Sequence, residues 1–409
     1  MEELVKCIVD NKYVLGSNGL AVINKESNLG DMPKNIDLIK KTEKNQLFQV
    51  KNVKEESVDY LIDDEDQLKT KFYPLVLLEY FYRLKVGGNL FIVVKPKIEA
   101  ELIEFKAQVA IFLREKFRII NEIKLSQKTM IVLQKRMPNE YKEDGINNWT
   151  FGFICGAGRE EWIDRVIDSI ISQNVPNFEI IVCGKSKPKK ASFIKYIYSD
   201  EERITTKKNI IAKNAKYENI VIIHDRVLFD KDWFNGMKKF GNMWDTIACQ
   251  IRHRGLRCYD WTSMGSTRIH WSEKFLDSAL LRYDDWDHYA TVMGSVHIFK
   301  KSAWEKVKFN DGMYYPDFED RLFCNEMMFA GCLLRCNPYS IAYRYTPTTV
   351  VLRKHKFNSK KLGRITAPSY KDMLVYYIYL TLFKTGLLNF FLKHWKENIY
   401  KIASKLTVK

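Results

Sequence analysis

Three things are scarce in this sequence, and each closes a class of function. Its eight cysteines include no Cys-x-x-Cys pair, so a cysteine-based zinc module is not expected. Cys155 and Cys183 instead end apolar runs that read as buried strands, which suits free thiols in a reducing cytosol. Long apolar stretches are the second absence. The opening residues, Met1-Glu-Glu-Leu-Val-Lys-Cys7, are acidic and lack an extended apolar segment, so no signal peptide is expected. Met373–Phe383 is apolar but too short to cross a bilayer before Lys384 interrupts it. Evenly spread charge is the third. The net charge is +16, yet the stretch from Val351 to Lys409 carries thirteen Lys and Arg against Asp372 and Glu397, a net +11. The rest of the chain is only mildly basic, which excludes a whole-surface nucleic-acid binder, and no nucleic-acid partner is expected.

What remains is enough for more than one domain with a substantial core: 409 residues, 46% hydrophobic and 13% aromatic. In the first 140 residues, Tyr13-Val-Leu-Gly-Ser-Asn-Gly19 reads as a strand entering a glycine turn. Ser57-Val-Asp-Tyr-Leu-Ile62 reads as a second strand, followed by acidic Asp63–Asp66. Pro74–Leu84 is helical, with Leu75, Leu78 and Tyr82 at helical spacing. Gly87-Gly88 breaks that helix, and Asn89–Val94 is a strand. Ser57–Ile62 followed by Leu77-Leu-Glu-Tyr-Phe-Tyr-Arg-Leu-Lys-Val-Gly-Gly88 resembles the second half of a class I methyltransferase, over about 80 residues. The family's nucleotide loop carries several glycines, whereas only Gly16 and Gly19 stand here, and its ribose-binding acid is missing. The resemblance therefore implies a degenerate scaffold or interaction domain over residues 1–140. Residues 141–148, polar and containing Gly145, read as a linker.

From Trp149 the pattern becomes regular. Phe151–Cys155 is a short apolar strand, and Gly156-Ala-Gly158 permits a tight turn. Ile163, Val166, Ile167, Ile170 and Ile171 make one helix face, and Phe178–Cys183 is the next strand. This βαβ unit predicts parallel strands with a site beyond their C-terminal ends. Lys208–Ala215 is a further helix, and Ile220–Ile223 is a buried strand delivering His224-Asp-Arg226 to the same edge. Further on, Glu319 and Asp320 stand in the first turn of a helix that Asp317 caps and Gly331 stops. Two readings of that acid pair are open: a capping box, or a positioned general base.

The order of these elements resembles a family 2 glycosyltransferase with the GT-A fold, in Trp149–Cys183, Asn209–Trp233 and Tyr289–Pro338. The matching residues are Ser169-Ile-Ile-Ser-Gln173 and Phe178-Glu-Ile-Ile-Val182, the strand ending in an Asp-x-Asp type motif, and Met293-Gly-Ser-Val-His-Ile-Phe299 with Phe318-Glu-Asp320. The resemblance implies an inverting transferase moving a sugar from a nucleotide sugar, a UDP-sugar foremost, to a glycan or lipid-linked glycan. Asp320 would be its base, with Glu319 orienting it or sharing the role. It places the donor at Cys155, Gly156, Gly158, Cys183, Gly184, Asp225, Arg226 and Arg344, and the acceptor at Gly294, Ser295, Asp285 and Trp286. In such enzymes Mg²⁺ or Mn²⁺ is held by the Asp-x-Asp carboxylates and a later His. Here the last motif position is Arg226 and the late His falls near Arg344, which leaves Asp225 as a possible ligand, with His355 or His224 as a substitute. Fixed positive charge at both positions leads us to expect that the arginines meet the diphosphate in place of a full metal site.

Two clusters keep open alternatives. Arg252-His-Arg254 with Arg257 is an anion site or a solvated basic loop. Trp261, Trp271 and Trp286, among Asp284, Asp285 and Asp287, are sugar-stacking or core residues. In the tail, Met373–Phe383 and Leu387–Leu392 are followed by spaced lysines, as in a monotopic helix on an anionic membrane face; a helical extension packed on the protein is the alternative. The expected architecture is thus α/β: a methyltransferase-like domain at 1–140, a linker at 141–148, a GT-A domain with a mostly parallel, Rossmann-like sheet at 149–365, and a basic helical tail at 366–409. The expected location is cytoplasmic, peripheral at the inner face of the membrane.

Overall fold

The computed structural model describes residues 6, 8, 19–23, 36–40, 45–51, 53–113, 115–189, 194–253, 256–258, 260–263, 279–313 and 319–345. The Asp317 cap, the Tyr13–Gly16 turn, Arg254, Trp271, His355 and the basic tail lie outside the described residues.

The first half is built from β1 (Gly19–Ile23), β2 (Ile36–Lys40), β3 (Val58–Asp66), helix α1 (Tyr73–Arg83), β4 (Leu84–Val94), helix α2 (Glu99–Phe112), β5 (Phe117–Lys124) and β6 (Thr129–Lys135). These strands form one sheet in the order β2-β1-β3-β4-β6-β5. The first four are parallel, and β6 runs antiparallel to both of its neighbours. Leu61, Ile62 and the run Leu90–Val94 are fully buried, as expected of parallel strands covered on both faces. Helix α1 carries Pro74 in its first turn, where the missing N–H is harmless, and all of its residues are buried.

Two expectations are corrected here. The helix ends at Arg83 and Leu84 already belongs to β4, so Gly87-Gly88 lies inside the strand rather than breaking the helix. Gly19 opens β1 opposite Tyr60 instead of lying in a turn after a strand. A Cβ there would fall 2.0 Å from the Tyr60 ring, so packing explains this glycine.

The second half begins with β7 (Asn148–Cys155), α3 (Glu160–Ile171), β8 (Asn177–Gly184), β9 (Ile194–Tyr198), α4 (Ile204–Asn214), β10 (Asn219–His224), β11 (Val227–Phe229) and α5 (Trp233–Phe240). It continues with β12 (Thr246–His253), β13 (Leu256–Arg257), β14 (Trp261–Ser263), β15 (Ala279–Leu280), β16 (Ala290–Val292), β17 (Val296–Lys300), α6 (Lys301–Lys306), α7 (Glu319–Phe329) and β18 (Leu334–Arg344). A nine-stranded sheet has the order β11-β18-β12-β17-β10-β7-β8-β9, with β13 on β12. β17 and β11 run against an otherwise parallel path. β14, β15 and β16 make a small separate sheet. The stripe of Ile163, Val166, Ile167 and Ile170 lays α3 on one face of the large sheet, with Val182 and Val221.

The opposite face shares a single core with the first half: Leu77, Leu78 and Leu90 cluster with Ile220, Phe323 and Leu334. Polar groups cross the same boundary. The Arg335 guanidinium, fully buried, pairs with Glu79 and donates to the carbonyls of Gln46 at 3.2 Å and Phe48 at 3.1 Å. The Gln46 side chain exchanges two hydrogen bonds with the backbone of Cys336, at 2.9 and 3.2 Å. In the stretch expected as a linker, Glu143–Asn147 forms a 3-10 turn, and the buried Tyr141 donates to Asp245 at 2.8 Å. Among the described residues, no helix is long and apolar enough to cross a membrane.

Candidate active site

Parallel β7, β8 and β10 end side by side, which brings Cys155, Gly184 and His224 to one edge of the sheet. Cys155 is buried, with its thiol directed at the Ser186 carbonyl 3.3 Å away. Burial pushes the Cys155 thiol up and the Cys183 thiol to about 11, so both are floor rather than nucleophiles. Gly184 has φ +152°, and a Cβ there would fall 2.0 Å from the Cys155 carbonyl oxygen, so only glycine closes that floor. Above it the Gly156–Gly158 loop is open: a Cβ at either glycine would meet nothing within 4 Å.

Asp225 lies beside this loop and is buried. Its carboxylate is flanked by Arg226 Nε at 3.5 Å and Arg159 Nε at 3.6 Å, and it faces the Gly156 amide at 3.5 Å. Both guanidinium groups keep 38% of their side-chain surface exposed, so each has a face to offer a ligand. The backbone of Arg344 is brought alongside by the β11–β18 pairing of Val227 with Arg344, and its guanidinium lies 3.9 Å from Met293 Sδ, where its charge, like that of Arg226, acts on His224. Sequence reasoning missed Arg159. Its signal was a basic residue directly after Gly156-Ala-Gly158 at a helix start, where anions bind.

A divalent cation fits this arrangement poorly. Of the expected ligands, Asp225 and His224 are among the described residues at this edge, and the Asp225 neighbours are fixed cations that repel a second positive charge. Among the described residues, no group of three or more His, Cys, Asp and Glu side chains gathers in a way that would hold a metal.

The N-terminus of α7 meets the same edge through Gly294. The Gly294 N–H donates to Asp320 Oδ2 at 2.9 Å, while Asp320 Oδ1 accepts from the Arg321 amide at 2.9 Å. Glu319 is buried and pairs with Lys208 at 2.9 Å. Burial alone would raise its carboxyl, but Lys208 holds it below the ordinary range. Glu319 is therefore an internal anion, which corrects the expectation that it shares the base role. Lys208 also donates to the Gly294 carbonyl at 3.0 Å and faces His297 Nδ1 at 3.1 Å. Ser295, expected at the acceptor, is buried with its hydroxyl unpartnered. His224 is only partly enclosed as a residue, yet its Nε2 is buried without a partner. That local dehydration, with Lys208, Arg344 and Arg226 nearby, lowers its pKa to about 3.

The acceptor aromatics are corrected. Trp286 is 0% exposed and donates its indole N–H to the Leu334 carbonyl at 2.9 Å, so its faces are core surface. Trp261 is equally buried. Asp285 pairs with Lys71 of the first half and accepts the Trp286 amide at 2.9 Å. In the basic cluster, Arg257 binds Asp260 at 2.8 Å and stacks 3.8 Å from the Tyr283 ring centre, so it belongs to neither a solvated loop nor the site. Only Gly294 of the expected acceptor group adjoins Asp320.

No family model matches the sequence. No curated protein matches it either. Among solved structures, S. aureus TarS is similar at 12% identity and TM-score 0.36, over 49% of this chain and 37% of that chain. Residues 1–349 of S. aureus TarS in complex with UDP match at 12% identity and TM-score 0.34, over 48% of this chain and 60% of that chain. The same segment in complex with UDP-GlcNAc matches at 12% identity and TM-score 0.35, over 49% and 60%. This chain spans less than two thirds of the length of each. A likeness at such scores does not establish a shared fold, so the chemistry rests on the residues described above.

Proposed function

We propose that the second half is an inverting glycosyltransferase that moves a sugar from a nucleotide sugar to a glycan or lipid-linked glycan acceptor. The observation that carries this reading is the Asp320 carboxylate, fixed by the Gly294 amide at the edge that also carries the open glycine backbone and the Arg159 and Arg226 cations.

An acceptor hydroxyl is a poor nucleophile. Asp320 takes its proton as the oxygen attacks the anomeric carbon, and the bond to the diphosphate oxygen breaks on the opposite face. The electron pair leaves with the nucleoside diphosphate, whose charge the guanidinium groups meet in pairs of N–H···O bonds. One displacement inverts the anomeric centre. A UDP-sugar is the expected donor. The first half, a parallel sheet with buried helix α1 and few glycines, suits a methyltransferase-like scaffold that has lost its cofactor loop. The acceptor pathway leads to cell-surface polysaccharide or glycoconjugate, with the enzyme on the cytoplasmic side.

The replacement of an acidic motif position by Arg226 favours one second reading, an inactive nucleotide-sugar fold acting as an assembly subunit. Two measurements separate them. Thermal shifts across UDP-, GDP- and CMP-sugars, with and without EDTA, are expected to show chelator-insensitive stabilisation by one class. In transfer assays, Asp320→Asn is expected to keep donor binding and lose turnover by about a hundredfold or more. Donor binding with no turnover in the unaltered protein establishes the assembly reading instead.

A further inference from the structure

Lys208 stands out among the charged groups around the site because it is wholly buried and yet attached to the part that carries Asp320. An ammonium has three donors and no acceptor. Here three acceptors surround it: the Gly294 carbonyl at 3.0 Å, His297 Nδ1 at 3.1 Å and Glu319 Oε1 at 2.9 Å. The His297 ring must then carry its proton on Nε2, and that atom is enclosed without a partner. Burial and the neighbouring Lys208 charge keep the ring neutral. Nothing in this node is available to an outside ligand.

Its geometry leads outward through one residue. Gly294 gives its carbonyl to Lys208 and its N–H to Asp320 Oδ2. A Cβ on Gly294 would fall 2.4 Å from Glu319 Oε1 and 3.3 Å from Asp320 Oδ2, so the strand end lies flat against both carboxylates. Glu319 is the first residue of α7 and Asp320 the second, so the ion pair with Lys208 pins the helix turn from which the Asp320 side chain extends. We propose that Lys208 is a positioning residue for the base: through Gly294 and through Glu319 it fixes the Asp320 carboxylate from two sides. The proposal rests on the assignment of Asp320 as the base. A general base must lie within hydrogen-bond reach of the proton it removes, and small displacements of reacting groups are costly in rate.

The test separates this role from mere support of the core. Lys208→Met leaves Glu319 buried and unpaired, so the informative protein is the double variant Lys208→Met with Glu319→Gln, which removes both charges together. Release of UDP is measured from the UDP-sugar giving the largest thermal shift, over a range of pH. The double variant is expected to regain melting temperature relative to Lys208→Met. Its kcat is expected to stay about tenfold or more below the unaltered enzyme, with the donor KM unchanged and the acid limb of the pH profile displaced. Unaltered kcat and pH profile in the double variant, beside an inactive Asp320→Asn, overturn the positioning role alone. A normally active Asp320→Asn overturns the assignment of the base and takes this proposal with it. Should the double variant not fold, Glu319→Gln alone, which removes the ion pair with Lys208 and leaves the Gly294 contact to Asp320 in place, serves the same purpose. Retained donor-induced thermal shift with a fallen kcat supports the proposal, and an unaltered kcat overturns it.

Discussion

Single residues at this site are set by what surrounds them more than by their type. His224 shows this in its response to acid. Its ring titrates ordinarily at 6.5 and is lowered to about 3, first by burial and then by Lys208. Between those values the unfolded chain binds a proton that the folded chain refuses. Stability contributed by the neutral ring is thus present above about pH 6.5 and falls as pH drops, by up to about 1.4 kcal/mol per pH unit. Glu319 acts in the same direction at lower pH, since its depressed carboxyl stabilises the fold until it is protonated. We expect urea midpoints to fall steadily from pH 6.5 to 4, and His224→Gln to flatten that slope; parallel slopes in the two proteins sink the prediction. Little of this was legible in the sequence. Asp320 and Gly294 were found through motif positions, but Lys208 reads as one more surface lysine in Thr-Lys-Lys-Asn. Its burial depends on where α4 lies against β17 and α7, which no local pattern encodes. The Trp286 ring likewise left two readings that only its packing resolved.

At the level of elements, periodicity was informative and boundaries followed from backbone chemistry. Of the five apolar residues expected on the α3 face, four are buried and Ile171 is exposed, while the apolar β10 run is found where the sequence put it. Gly331 adopts φ +78° just past the end of α7, as a helix stop should. What the sequence hid was how an element meets its non-local neighbours. β18 reads as an ordinary strand, yet Arg335 within it enters the core of the first half against Glu79 on α1. Both side chains are essentially unexposed, so removing Arg335 leaves the buried Glu79 carboxylate to the longer ion pair with Arg83, at 3.7 Å. Arg335→Met is expected to cost about 3–5 kcal/mol in urea denaturation. The joint change with Glu79→Leu is expected to recover much of that loss. A single-variant cost below about 1 kcal/mol would contradict the picture, because exposed pairs behave that way.

For the whole molecule, the shared core predicts one unfolding transition. All nine tryptophans follow position 148, so indole fluorescence reports the second half alone. Its urea midpoint is expected to coincide with the loss of hydrogen-exchange protection in α1 amides of the first half. Two separated midpoints would show that the halves fold independently. The basic tail belongs to this scale as well. With +11 between Val351 and Lys409, the protein is expected to sediment with anionic vesicles at low salt, and truncation after about residue 365 to release it. Equal sedimentation of both proteins removes the membrane proposal.

The Arg335–Glu79 and Gln46–Cys336 links also bear on how such a chain is inherited. A recombination event that brought in a different first half would leave Arg335 without its carboxylate and the Cys336 backbone without its amide partner. Crossovers between the halves are therefore expected to be purged. The two are expected to drift as a pair, with a change at position 79 answered at position 335.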